Sequence, residues 1–300
     1  MKLIYLASNH NSGSTPIALV ANAHPAMVSP GEIMGPGGRF HGTMGPVCSC
    51  GKEVAICPFW SEVGHRYRAK NFPWETHKWG LDFRFPNHYW LSRIVLNRPD
   101  LLTWRTPLFA KMPWFSTRIK ELTARNLAFL NIILEVSGRE TIFDASKHSM
   151  RLYHLSRISE IDLRVIHLLR DPRGWCNSRR KNFNEPVEQT ARRWVEGNSR
   201  ISRITSHMPA EKTILLRYED FCTNPQKTME QIWKLADLSV VDLPEDLNTI
   251  NHHLLGNRMR TCNDLQIKED LSWQSELSQV ERTIIEQLTV PVAQHFGYHY

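Results

Sequence analysis

The chain has 300 residues, 41% hydrophobic and 22% charged, the composition of a soluble globular protein with enough length to bury a large core. Lys and Arg outnumber Asp and Glu by 37 to 30, which suits an anionic ligand, but no block of like charge forms a nucleic-acid tail. No apolar run reaches transmembrane length, and the first apolar run lacks signal-peptide architecture, so a cytoplasmic protein without a membrane span is expected, its six Cys mostly reduced.

Residues 2–7 (KLIYLA) are too short for a helix and read as a buried parallel strand. They run into SNHNSGST, a turn cluster, where Ser14 or Thr15 is a natural N-cap and Pro16 suits the first helical position. The helix is expected to reach about His24. Strand, small-residue loop and helix together aim backbone N–H groups and a helix dipole at one spot, which makes an anion site, although an ordinary β–α turn has the same form. AMVSPGEI reads as a second short strand with Glu32 at its end, and the Gly/Pro-rich residues 34–47 as a loop. Cys48, Cys50 and Cys57 follow in C-x-C…C spacing. That spacing allows a disulfide or a metal clip, including a zinc knuckle that borrows a distant His; no fourth ligand is evident nearby, and three packed thiols bracing a loop are expected.

Residues 60–140 lack strand signals and carry six Trp between 60 and 114, with a clear helix at about 116–137. This helical, Trp-rich insertion is expected to cover the substrate side of a single domain, most of its aromatics being core. The α/β pattern resumes at residues 141–144, a strand running into a loop with Lys147, then a helix near 150–158. DLRVIHLL is apolar on both faces, as a central parallel strand is, and ends on Arg170. Asp171 and Pro172 open a helix bearing Ser178, residues 185–206 form another, KTILLRYEDF gives a further strand, and residues 224–238 its helix. A basic loop, HHLLGNRMR, and a last helix near 278–287 complete the chain. The fold expected is α/β: a central parallel sheet with flanking helices and ligands at the strands' carboxyl ends.

The loop at 9–15, Lys147, Arg170 with Ser178, and Arg258 with Arg260 converge on that edge. Together they resemble the sulfotransferases that use 3′-phosphoadenosine 5′-phosphosulfate (PAPS), which have a P-loop-like fold. Asn11–Ser12–Gly13–Ser14–Thr15 is similar to that family's 5′-phosphosulfate loop, [RK]-x-G-[ST]-[ST], except that Asn11 stands where Arg or Lys is usual. Arg170, with Ser178 eight residues on, matches its 3′-phosphate motif, and RYED (217–220) and the loop Gly256, Asn257, Arg258, Arg260 also look like family features. AHPAMVSPGE is similar to the stretch in tyrosylprotein and related bacterial sulfotransferases where a Glu is the catalytic base.

The resemblance implies a sulfuryl transfer from PAPS to an acceptor hydroxyl on a sugar, lipid, phenol or tyrosyl peptide, with no metal required. Glu32 would be the base, and Lys147 with the amides and hydroxyls of residues 12–15 would stabilise the transferring group. Arg170 and Ser178 would grip the 3′-phosphate, Arg258 and Arg260 would add to that grip or form surface salt bridges, and Tyr218 would pack near adenine or in the core. His10, His24, His148, His252 and His253 show no ligand or triad pattern, and each is expected to be hydrogen-bonded or solvated. Two other readings stand beside this one. A P-loop kinase is disfavoured because no Lys precedes Ser14, and a non-catalytic nucleotide- or nucleic-acid-binding module is favoured by Asn11 and the basic charge.

Overall fold

A computed structural model describes residues 1–34, 46–76, 79–83, 111–245, 252–256, 258–261 and 267–300. Five parallel strands form one sheet: β1 (Lys2–Ser8), β2 (Met27–Gly31), β3 (Thr141–Lys147), β4 (Asp162–Leu169) and β5 (Thr213–Arg217). Their spatial order is β2-β3-β1-β4-β5, so β1 is central and the chain crosses it to build the second half. That reversal opens a crevice at the carboxyl end of β1. Against β4 the register runs unbroken to Ser8 beside Leu168, whereas against β3 it slips by one residue between Tyr5 and Ala7, which brings Ala7 beside Lys147.

The helices are α1 (Ser14–Ala21), α2 (Pro58–Ala69), α3 (Pro113–Ser137), α4 (Ser149–Leu155), α5 (Pro172–Phe183), α6 (Val187–Thr205), α7 (Tyr218–Thr223), α8 (Pro225–Leu235), α9 (Trp273–Glu276) and α10 (Gln279–His295). Alternation along β1 divides them into two layers, because successive side chains of a strand point to opposite faces. Leu3, Tyr5 and Ala7 face a core shared with α2, α3 and α4, whereas Ile4 and Leu6 face one shared with α1 and α8. The architecture is therefore the α/β sheet with flanking helices that the sequence predicts. None of the described helices is long and apolar enough to cross a membrane.

Several boundaries differ. α1 begins at Ser14 behind Gly13, so Pro16 is its third residue and no side chain caps it. It stops at Ala21 because Asn22 turns its amide onto the backbone of Ser29 instead. The strand expected to run through RYED ends at Arg217, and Tyr218 to Asp220 enter α7, where Arg217 pairs with Asp220. α10 continues through Pro291 to His295, since Ile285, Thr289 and Ala293 bury one face and tertiary packing offsets the proline.

Most of the described tryptophans between residues 60 and 114 pack into the core. Trp60, Trp74 and Trp79 stack with one another at 4.9 and 5.3 Å between centroids, around Phe129 of α3. Trp60 and Trp79 are fully buried and Trp114 is exposed. Trp90 and Trp104 lie outside the described residues.

Candidate active site

The loop after β1 is held in an unusual backbone shape. Asn11 and Gly13 both take positive φ, 70° and 81°. Asn tolerates that region better than Arg or Lys, which accounts locally for the departure at position 11. Gly13 is obligatory on a second count, because a Cβ there would overlap the Tyr218 ring. Contacts with residues beyond β4 clamp the same loop: the Arg170 side chain donates to the Asn11 carbonyl at 3.0 Å, Trp175 Nε1 donates to the His10 carbonyl at 2.6 Å, and the loop's own Asn9 Nδ2 donates to the Trp194 carbonyl at 3.2 Å. Ser12, Ser14 and Thr15 are buried at the start of α1. An anchored loop of this kind ahead of an uncapped helix suits a phosphate or sulfate group.

Two strands away, β2 ends on Gly31 at φ 93°, where a Cβ would overlap the Leu254 carbonyl. Leu254 crosses the end of β2: its N–H donates to the Pro30 carbonyl at 2.9 Å, and the Glu32 N–H donates to its carbonyl at 3.1 Å. Glu32 is thereby turned toward β3, and Lys147 Nζ lies 2.6 Å from its Oε1. Lys147 ends β3 at φ 66° and is only 7% exposed. Beneath it lies a buried polar network. Asp144 accepts from Ser146 N and pairs with Arg151 at 2.7 Å, Arg151 bonds Asn126, and Asn126 donates to the Leu81 carbonyl. Tyr5 adds a hydrogen bond to the His148 carbonyl. These largely buried contacts hold the β3 terminus and so aim Lys147.

At the other side of β1, Arg170 is 8% exposed, 5.3 Å above the Tyr218 ring and 3.7 Å from Asp270. Glu219 of RYED accepts from the Asp171 N–H at 2.7 Å and from the Tyr298 hydroxyl at 2.8 Å, and burial pushes its carboxyl above the usual range. Ser178 lies on the second turn of α5, where the Asn182 amide donates to its hydroxyl at 3.3 Å. Tyr218 packs on Gly13 and donates to the Lys268 carbonyl. Gly256 comes against Thr15, 2.7 Å from its Oγ1 if a Cβ is added. Among the described residues Arg260 forms no salt bridge: it donates to the Val47 carbonyl at 3.1 Å, and burial lowers its pKa. Asn257 and the Arg258 side chain lie outside the described residues.

The sequence model described as the sulfotransferase family matches residues 83–242, just over half of the chain. The chain belongs to the sulfotransferase family. Among solved structures, the sulfotransferase domain of the Synechococcus PCC 7002 olefin synthase is similar at 15% identity and TM-score 0.51, covering 100% of this chain and 96% of that one. The sulfotransferase domain of the curacin biosynthetic pathway is similar at 13% identity and TM-score 0.53, covering 97% and 96%. At such identity the likeness speaks to fold. No curated protein matches the chain. Membership in the sulfotransferase family sets aside the kinase reading.

Sequence reasoning missed the loop clamps Asn9, Trp175 and Trp194, which have no signature beyond being polar-tipped residues. It also missed His252, whose Nδ1 lies 3.3 Å from Cys57 Sγ. The expectation that His252 has no ligand pattern is corrected: it stands as a distant His beside the three cysteines, about two hundred positions away, so no local spacing singles it out.

Proposed function

We propose that this sulfotransferase moves a sulfuryl group from PAPS to the hydroxyl of an acceptor. The observation that carries the reading is the Glu32–Lys147 contact, a carboxylate and an ammonium 2.6 Å apart at the carboxyl edge that also holds the anchored loop. PAPS supplies an activated sulfuryl group. The amides of residues 12–15 with the Ser14 and Thr15 hydroxyls hold the 5′-phosphosulfate, and Arg170 with Ser178 holds the 3′-phosphate. Tyr218 supports the loop at Gly13. Lys147 neutralises charge on the sulfonate oxygens, a role that suits a group carrying less negative charge than a phosphoryl and needing no magnesium.

Glu32 takes the proton of the acceptor hydroxyl as that oxygen attacks sulfur in line. The sulfonate competes for Lys147 and so frees the Glu32 carboxylate for the acceptor. A sugar, lipid, phenol or tyrosyl peptide is the acceptor class, and the whole chain acts as one sulfotransferase domain.

The test is a thermal-shift comparison of adenosine 3′,5′-bisphosphate with AMP, followed by PAPS turnover over a panel of hydroxyl acceptors. Selective stabilisation by the bisphosphate and transfer to one acceptor class are expected. Salt-sensitive nucleic-acid binding with no response to the bisphosphate would overturn the reading.

A further inference from the structure

We propose that Cys48, Cys50, Cys57 and His252 form a structural zinc site that clips the loop after Pro46 to the segment crossing the end of β2. Among the described residues these are the one group of three or more His, Cys, Asp or Glu side chains whose ligand atoms gather at a point, all lying within 4.8 Å of one another. Zn–S bonds of about 2.3 Å and a Zn–N bond of about 2.0 Å at tetrahedral angles require S···S separations of about 3.8 Å and S···N separations of about 3.5 Å. Cys50 Sγ to Cys57 Sγ is 3.6 Å, and His252 Nδ1 is 3.7 Å from Cys48 Sγ and 3.3 Å from Cys57 Sγ. The three thiols are free, so none of these distances is a disulfide. Hydrogen bonding alone accounts poorly for the cluster. Two sulfurs face the same ring nitrogen, which has a single lone pair to offer, whereas one cation at the centre satisfies all four groups.

The surroundings hold the four ligands in place. The turn from Cys48 to Lys52 closes with Cys48 N–H donating to the Lys52 carbonyl at 2.8 Å, and Cys57 N–H donates to the Glu53 carbonyl at 2.8 Å. The His252 ring stacks on Phe59 at 5.1 Å with an interplanar angle of 5°, and its carbonyl accepts from Trp60 Nε1 at 2.8 Å. Cys48 and Cys57 are fully buried. Three thiolates around a dication leave a net anion, and Arg260, which donates to the carbonyl of Val47, stands beside it. Three sulfurs and one imidazole form a closed set with no open position, which fits a structural zinc rather than a catalytic one. What it holds is functional: the segment that supplies His252 continues into Leu254, which positions Glu32, and Gly256, which packs on Thr15.

Metal analysis of the untagged full chain, expressed with zinc in the medium, is expected to find roughly one zinc per chain. Cobalt(II) in its place should give the strong visible bands of a tetrahedral thiolate site with sulfur-to-cobalt charge transfer. His252→Ala should weaken zinc binding at least about tenfold, since even an outer partner of a ligand is worth that much. Should that variant not fold, stripping zinc from the wild-type chain with a chelator answers the same question. Amide exchange at residues 29–32 and 252–256 should then quicken, and three more thiols should become reactive. Absence of zinc from a folded, zinc-incubated chain, iron as the stoichiometric metal, a Cys48–Cys57 or Cys50–Cys57 disulfide, or thiol reactivity indifferent to the chelator would each overturn the proposal.

Discussion

Lys147 and Glu32, 115 positions apart, meet at 2.6 Å across the carboxyl ends of β2 and β3. Neither side chain reaches this contact by local geometry: Glu32 is turned by Gly31 and Leu254, and Lys147 is aimed by the Asp144–Arg151 network. Glu32→Gln keeps the shape and removes the basicity. Turnover from PAPS should fall by roughly 10²–10⁴-fold while affinity for adenosine 3′,5′-bisphosphate is retained. Steady-state turnover and nucleotide titration on the same preparation decide it. Unchanged turnover would pass the role of base to another group, His10 of the loop being next.

Arg170 donates to the Asn11 carbonyl of the loop and is also the residue proposed to hold the 3′-phosphate, so its substitution has two separable consequences. Arg170→Ala should weaken adenosine 3′,5′-bisphosphate by about 1.5–3 kcal/mol, a charge-assisted contact, and leave AMP nearly unaffected. Calorimetry with both nucleotides separates the cases. Equal weakening of both would mean that the bond to the Asn11 carbonyl, not a 3′-phosphate, is the work of this side chain.

Asn11→Arg restores the cation usual in the family, yet it places a non-glycine, non-Asn residue at φ 70°. The strain is on the order of 1 kcal/mol. Bisphosphate binding should survive, and sulfuryl transfer should rise if the new guanidinium reaches the sulfonate. Gly13→Ala, by contrast, meets both the positive φ and the Tyr218 ring, and should lose nucleotide binding. Binding retained in Gly13→Ala would show that the loop adopts another shape.

The Asp144–Arg151 pair is fully buried, so Arg151→Met leaves an uncompensated carboxylate. A loss of about 3–5 kcal/mol is expected in urea unfolding. Asp144→Asn added to Arg151→Met should recover part of it, because the stranded charge is gone. No recovery would assign the loss to packing instead.

Stability should also depend on pH through His167, which burial holds neutral with a pKa lowered to about 4. The unfolded imidazole titrates near pH 6.5, so below that value the unfolded chain binds a proton that the folded chain refuses. Stability therefore falls as pH drops from about 6.5 to about 4, and by pH 5 this group alone removes about 2 kcal/mol relative to pH 8. Urea midpoints across that range should fall less steeply in His167→Gln. His154, lowered by burial to about 3, adds a contribution of the same sign.

The local signals of this chain were sufficient for its elements. Apolar runs of strand length, turn clusters and the Asp171–Pro172 helix start are properties of neighbouring residues, and they yield five parallel strands and the loop of residues 9–15 directly. The alternation of Leu3, Tyr5 and Ala7 with Ile4 and Leu6 already implies a sheet covered on both faces. What local pattern does not carry is which distant residues share a point in space. Glu32 with Lys147, Arg170 with Asn11, Tyr218 over Gly13, and His252 with the three cysteines are all long-range contacts, decided by strand order and by the path of the segment across β2. The boundaries that moved, at Ala21, Arg217 and Pro291, did so for the same reason. A helix or strand ends where its side chains cease to find partners in the packed molecule, and only the fold specifies where that is.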